Sequence, residues 1–96
     1  MDPEKAWKDE VEKHVKELSL KMDGLQSVVE KLEHDLRVKC MRHIKRFREG
    51  EPVVWQHLDE LAAATPETLE KTKGDIKGAL GELEADITKL EELLKK

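Results

Sequence analysis

Phe47-Arg48-Glu49-Gly50-Glu51-Pro52-Val53-Val54-Trp55 is the stretch on which the fold depends. Gly50 tolerates the left-handed backbone that ends many helices, and Pro52 cannot continue one, so the pair predicts a turn at 50–52. Residues before it then read as one long helix 1 over about 3–49, and residues after it fold back along that helix.

Outward towards the N-terminus runs an apolar stripe: Trp7, Val11, Val15, Leu18, Met22, Leu25, Val29, Leu32, Leu36, Cys40, Ile44 and Phe47. Every step is three or four residues, the spacing of one helix face. From Val15 to Leu36 the steps alternate, which is the rhythm of a coiled-coil seam. From Leu32 through Leu36 and Cys40 to Ile44 they are all four, a change of phase that relaxes a left-handed supercoil. Asp2 is placed to cap the helix, Pro3 suits its first position and Glu4 favours the positive end of the dipole. Gly24 is the only breaker inside, and one interior glycine costs about 1 kcal/mol relative to alanine. At 1.5 Å per residue such a helix is about 65 Å long and needs partners along its whole length.

Outward towards the C-terminus, helix 2 is expected over about 53–64, burying Val54, Leu58 and Leu61 with Trp55 beside them. Thr65-Pro66 reads as an N-cap followed by proline at the first helical position, with Glu67 in the first turn. This junction fits a short loop or a kink between collinear helices. Helix 3 then spans about 66–95 with a second seam, Leu69, Ile76, Leu80, Leu83, Ile87, Leu90 and Leu94. Running antiparallel to helix 1, helices 2 and 3 would bring Trp55 to Phe47 and the C-terminal leucines to Trp7. The predicted fold is all-α: residues 1–96 form a single coiled-coil-like hairpin domain that associates into a helical bundle. Leu20, Val28, Val38 and Met41 lie off the stripe, and their apolar surface points to a dimer or tetramer.

Composition agrees with long helices. Charged residues make up 42% of the chain and aromatics are only Trp7, Phe47 and Trp55, a balance typical of coiled coils and helical bundles. The longest apolar run, Leu61 to Ala64, is far too short to span a membrane. Met1-Asp2-Pro3-Glu4 has no basic segment leading into an apolar core, and a lone Cys40 cannot form an intrachain disulfide. Together these predict an intracellular protein, cytoplasmic or nuclear.

The most unusual local feature is a run of cations, Arg37, Lys39, Arg42, Lys45, Arg46 and Arg48, with no acidic residue among them. It carries +6 in a chain of net charge −4, leaving −10 elsewhere. Part of this run suits the negative end of a helix dipole. In the hairpin, Glu49, Glu51, Asp59, Glu60, Glu67 and Glu70 are expected nearby as internal partners. The alternatives are an acidic protein surface, a nucleic-acid backbone or an anionic membrane. The net negative charge weighs against nucleic acid. A second feature is the small-residue stripe Gly74, Gly78, Gly81 and Ala85, either a solvated weak face or a track for a closely approaching helix.

Nothing resembles a catalytic or cofactor site. Glu10/His14 and Glu30/His34 have helical i, i+4 spacing, but neither pair has a third ligand nearby, and His43 and His57 likewise read as surface residues. Cys40 sits on the apolar stripe and reads as a buried thiol. The sequence therefore predicts a non-enzymatic helical self-assembly module, a scaffold or adaptor acting through protein–protein contacts, with no cofactor, metal or small-molecule substrate. Its seams would carry the assembly, while Arg37, Lys39, Arg42, Lys45, Arg46, Arg48, Gly74, Gly78 and Gly81 would contact other partners. The alternative is an electrostatic binder of nucleic acid or anionic membrane through residues 37–48.

Overall fold

The apolar stripe is long enough to cover two helices lying side by side, and this is how the chain uses it. A computed structural model of the protein describes residues 3–95, so the Asp2 cap lies outside the described residues. Three α-helices follow one another: α1 (Pro3–Val29), α2 (His34–Ala62) and α3 (Pro66–Leu94). The molecule measures 50 × 21 × 17 Å, the length of one such helix rather than of a 65 Å rod.

Side-chain pairs fix the directions. His43 and Arg46 of α2 face Asp86 of α3, while Gly50, further along α2, faces Leu83, earlier in α3. These two helices are therefore antiparallel. Between α1 and α3 the partners rise together, Trp7 with Lys73, His14 with Glu84 and Lys21 with Glu91, so these helices run parallel.

This topology corrects the expected hairpin at two points. Helix 1 does not run unbroken over 3–49, because the chain reverses at residues 30–33. Its last turn tightens, with Lys31 N–H donating to the Val28 carbonyl at 3.1 Å and Leu32 N–H to that of Val29 at 3.0 Å. Glu33 is the N-cap of α2, extended at φ −63° and ψ 155°, and makes no side-chain capping bond. No glycine or proline marks this break. Nor is there a turn at 50–52: Gly50, Glu51 and Pro52 are inside α2, and the expected helix 2 over 53–64 is its second half.

Apolar spacing explains the outcome. Cys40, Ile44, Phe47, Val54, Leu58 and Leu61 are all buried on one face of α2. Phe47 and Val54 are seven residues apart, two helical turns, so they share that face only if the helix continues between them. Burying a large apolar side chain is worth about 1.5–3 kcal/mol. Several of them outweigh the interior costs of about 1 kcal/mol for glycine and about 3 kcal/mol for proline. Gly50 fills the gap in the stripe. A Cβ there would lie 2.9 Å from Leu83 Cδ2, so the missing side chain lets α2 and α3 close on one another.

The seams meet each other within one chain. Val11, Val15, Leu18, Met22 and Val29 of α1 join Ile76, Leu80, Leu83, Ile87 and Leu90 of α3 in one core with the buried face of α2. Trp7, Leu25, Leu32, Leu36, Trp55, Leu69 and Leu94 pack half-buried at its margins. The expected aromatic pairings are replaced. Phe47 and Trp55 lie on the same helix, and Trp7 stacks under the Lys73 ammonium, 5.4 Å from its ring centroid, because α1 and α3 start at the same end.

The second reversal was written locally. Thr65 caps α3, its backbone N–H donating to Thr68 Oγ1 at 3.0 Å, and its hydroxyl lies 3.2 Å from that of Thr68. Pro66 occupies the first helical position, where its missing N–H costs nothing. The junction is a short reversing loop and not a kink.

Candidate functional site

The cationic run occupies the first half of α2, where a period of 3.6 residues distributes it around the helix. Cys40, Ile44 and Phe47 point into the core, so the charges take the remaining faces. They divide into committed and uncommitted cations.

Arg48 is the committed one. Its guanidinium, half-buried between α1 and α2, donates to Asp23 Oδ1 at 2.5 Å, Glu51 Oε1 at 2.8 Å, Gln26 Oε1 at 3.2 Å and Ser19 Oγ at 3.4 Å. Burial pulls its pKa down, but the hydrogen bonds and charges of Glu51 and Asp23 outweigh this and hold it above its ordinary value. Charge-assisted bonds of this kind fix orientation as well as energy, and here they tie α1 to α2. Arg46 and Lys45 are weakly engaged: Arg46 Nε is 4.0 Å from Asp86 and Lys45 Nζ is 4.0 Å from Glu49, both cations largely exposed.

Arg37, Lys39 and Arg42 form no ion pair among the described residues. Two of them flank exposed apolar surface. His34, Arg37, Val38, Met41, Arg42 and Lys45 line an open groove of about 300 Å³. Val38 and Met41 each retain 41% of their exposure, which gives the groove an apolar floor between cationic walls. The combination follows from sequence spacing, since 34, 37, 38, 41, 42 and 45 are the i, i+3, i+4 neighbours of a single face.

Of the six internal acids expected to neutralise the run, only Glu49 and Glu51 do so. Asp59, Glu60, Glu67 and Glu70 belong to the far end of α2 and the start of α3, away from it. Two further acids reach the run from other helices, Asp23 of α1 and Asp86 of α3, and neither belongs to the expected set. Asp86 is buried at 5% exposure, with His43 Nδ1 3.3 Å from its Oδ1. Position in sequence gave no sign of either contact, because both depend on which helices become neighbours.

Gly74, Gly78 and Gly81 face solvent with nothing near the position of a Cβ, and Ala85 is exposed beside them. They are not a packing track within the chain. His14 contacts Glu84 at 3.0 Å rather than its helical neighbour Glu10, and His57 contacts Glu60 at 3.2 Å. Among the described residues no three His, Cys, Asp or Glu side chains converge to hold a metal ion. Burial raises the Cys40 thiol pKa, which keeps it protonated and poorly nucleophilic. No helix among the described residues is long and apolar enough to cross a membrane. No protein-family model, curated protein or solved structure matches the chain.

Proposed function

We propose that the chain is a non-enzymatic helical adaptor that binds an acidic protein segment along the outer face of α2. The observation that supports this is the Val38–Met41 groove between Arg37 and Arg42, cations with no ion-pair partner among the described residues. An amphipathic helix with leucine or phenylalanine anchors fits such a floor, and its carboxylates meet Arg37, Arg42 and Lys45. Lys39 adds to the field that steers an acidic partner towards this face. The negative balance of the remaining chain opposes wrong docking elsewhere. Leu20, Val28 and Val53 are also exposed and support a further capacity for self-association, as a dimer or tetramer in a larger scaffold. The lone, buried Cys40 suits a reducing intracellular compartment.

A second function has the same cations hold a nucleic-acid backbone or an anionic membrane. Fluorescence anisotropy separates the two with three probes: an amphipathic glutamate-rich peptide with leucines at i, i+3, i+4 and i+7, a DNA duplex, and labelled protein on phosphatidylserine vesicles. The peptide is expected to bind, and Arg37→Glu/Arg42→Glu to weaken it by about tenfold or more. Lys77→Glu, on exposed α3, is expected to leave it unchanged. Binding of DNA or vesicles in place of the peptide, lost steeply with salt, would overturn the adaptor assignment.

A further inference from the structure

The two reversals of the chain are made of opposite materials. At 63–66, Pro66 removes a helical donor and disfavours helical geometry at Thr65, and the Thr65–Thr68 cap rewards the turn. At 30–33 the residues are Glu30, Lys31, Leu32 and Glu33, all good helix formers. The described backbone has no residue with positive φ, so no left-handed cap ends α1. Glu33 gives α2 no side-chain cap. The apolar stripe crosses the break in helical register, from Val29 through Leu32 and Leu36 to Cys40. Every local preference here is for helix, and only the packing of α1 back on α2 and α3 opposes it.

From this we infer that the chain exchanges α1 with a second copy of itself by straightening residues 30–33. In the exchanged dimer, Pro3 to Ala62 form one helix of about 90 Å. Two such helices lie antiparallel, crossing at residues 30–33. The α1 of each copy takes, on α2 and α3 of the other, the place it holds in the monomer. Every core contact is kept, including the bonds from Arg48 to Asp23 and Gln26, now made between copies. The exchange adds helical hydrogen bonds at both hinges and brings Leu32 and Leu36, half-buried in the monomer, against their counterparts at the crossing. Such exchange of an identical element is a low-cost route to a dimer. The α2–α3 connection is disfavoured as a hinge, because straightening it would put Pro66 inside a helix at a cost of about 3 kcal/mol and would break the Thr65–Thr68 cap.

The test is refolding at millimolar concentration, followed by light scattering for mass and small-angle X-ray scattering for length. The wild type is expected to yield a slowly exchanging dimer, with its longest dimension rising from the 50 Å of the monomer to about 90 Å or more. His34→Pro places proline at the first position of α2, where the monomer accepts it but the continuous helix does not. It is expected to lower the dimer association constant by about 100-fold or more while retaining monomer helicity. Deletion of residues 31–33 keeps the stripe in register, Val29 then preceding Leu36 by four, and leaves too little chain to reverse. It is expected to give a dimer at every concentration where it is folded. A wild type that stays monomeric, a dimer that keeps the monomer's length, or a His34→Pro protein that dimerises like the wild type would each overturn the inference.

Discussion

Glu30-Lys31-Leu32-Glu33 has the sequence of a helix and forms a turn, whereas Gly50-Glu51-Pro52 has the sequence of a turn and forms a helix. The difference lies in what flanks each segment. Around Gly50 and Pro52, Phe47 and Val54 are fully buried on one face and hold α2 straight from both sides. Around residues 30–33, the flanking seams of a single chain bury their apolar side chains by folding against each other. Local propensity across either segment is worth a few kcal/mol, and the core it would forfeit is worth more. Where the two disagree, burial decides.

The strongest way to break this comparison is to weaken the burial that holds α2 through its breakers. Phe47→Ala empties a fully buried site one turn before Gly50 and is expected to cost about 3–5 kcal/mol in a urea unfolding curve. Amide exchange in the variant should rise most around residues 48–54, where glycine and proline no longer have a core to oppose them. Uniform loss of protection along α2 would show that the helix does not depend on that side chain for its continuity.

Relieving the breaker should act in the opposite direction. Pro52 is exposed in the interior of α2, so its ring crowds the Arg48 carbonyl and its missing N–H forfeits a bond. Pro52→Ala is expected to stabilise the protein by about 2 kcal/mol, the helical cost of proline less its benefit in restricting the unfolded chain. A variant less stable than wild type in thermal and urea unfolding would mean that α2 needs a bend at Pro52 to seat Val54 and Leu58 against α3.

How far the sequence could be read follows from the same physics. The all-helical class, the seam positions and the start of α3 were legible because they depend on spacing along one helix, or on a local cap such as Thr65–Thr68. The reversal at 30–33 was not. The apolar stripe continues in helical register from Val29 through Leu32 and Leu36 to Cys40, and two of the three steps of four lie inside α2, so spacing carries no sign of the break. With the wrong turn, each partner across helices was misplaced. A turn at 50–52 pairs Trp7 with C-terminal leucines and the cationic run with Glu67 and Glu70, whereas the fold pairs them with Lys73 and with Asp23 and Asp86. The uncommitted half of the run needed no topology, since Arg37, Val38, Met41 and Arg42 are neighbours on any helix.

The smallest expected effect tests the closeness that Gly50 allows. Gly50 and Gly78 are both interior helical glycines, and alanine at either should gain about 1 kcal/mol from propensity alone. At Gly78 nothing lies near the added methyl group, so the full gain is expected. At Gly50 the methyl would lie 2.9 Å from Leu83 Cδ2, and Leu83 is itself buried at 1% exposure. Its terminal methyl must turn within a filled core, and overpacking of that kind costs about 1–3 kcal/mol. Gly50→Ala is therefore expected to fall below Gly78→Ala by about 1 kcal/mol or more in urea midpoint at equal slope. Truncating the obstacle should reverse the order: in a Leu83→Ala background, Gly50→Ala recovers its helical gain because the clash is gone. Equal gains at the two glycines in the wild-type background would place α2 and α3 further apart, and Gly50 would then be a tolerated breaker with no part in their contact.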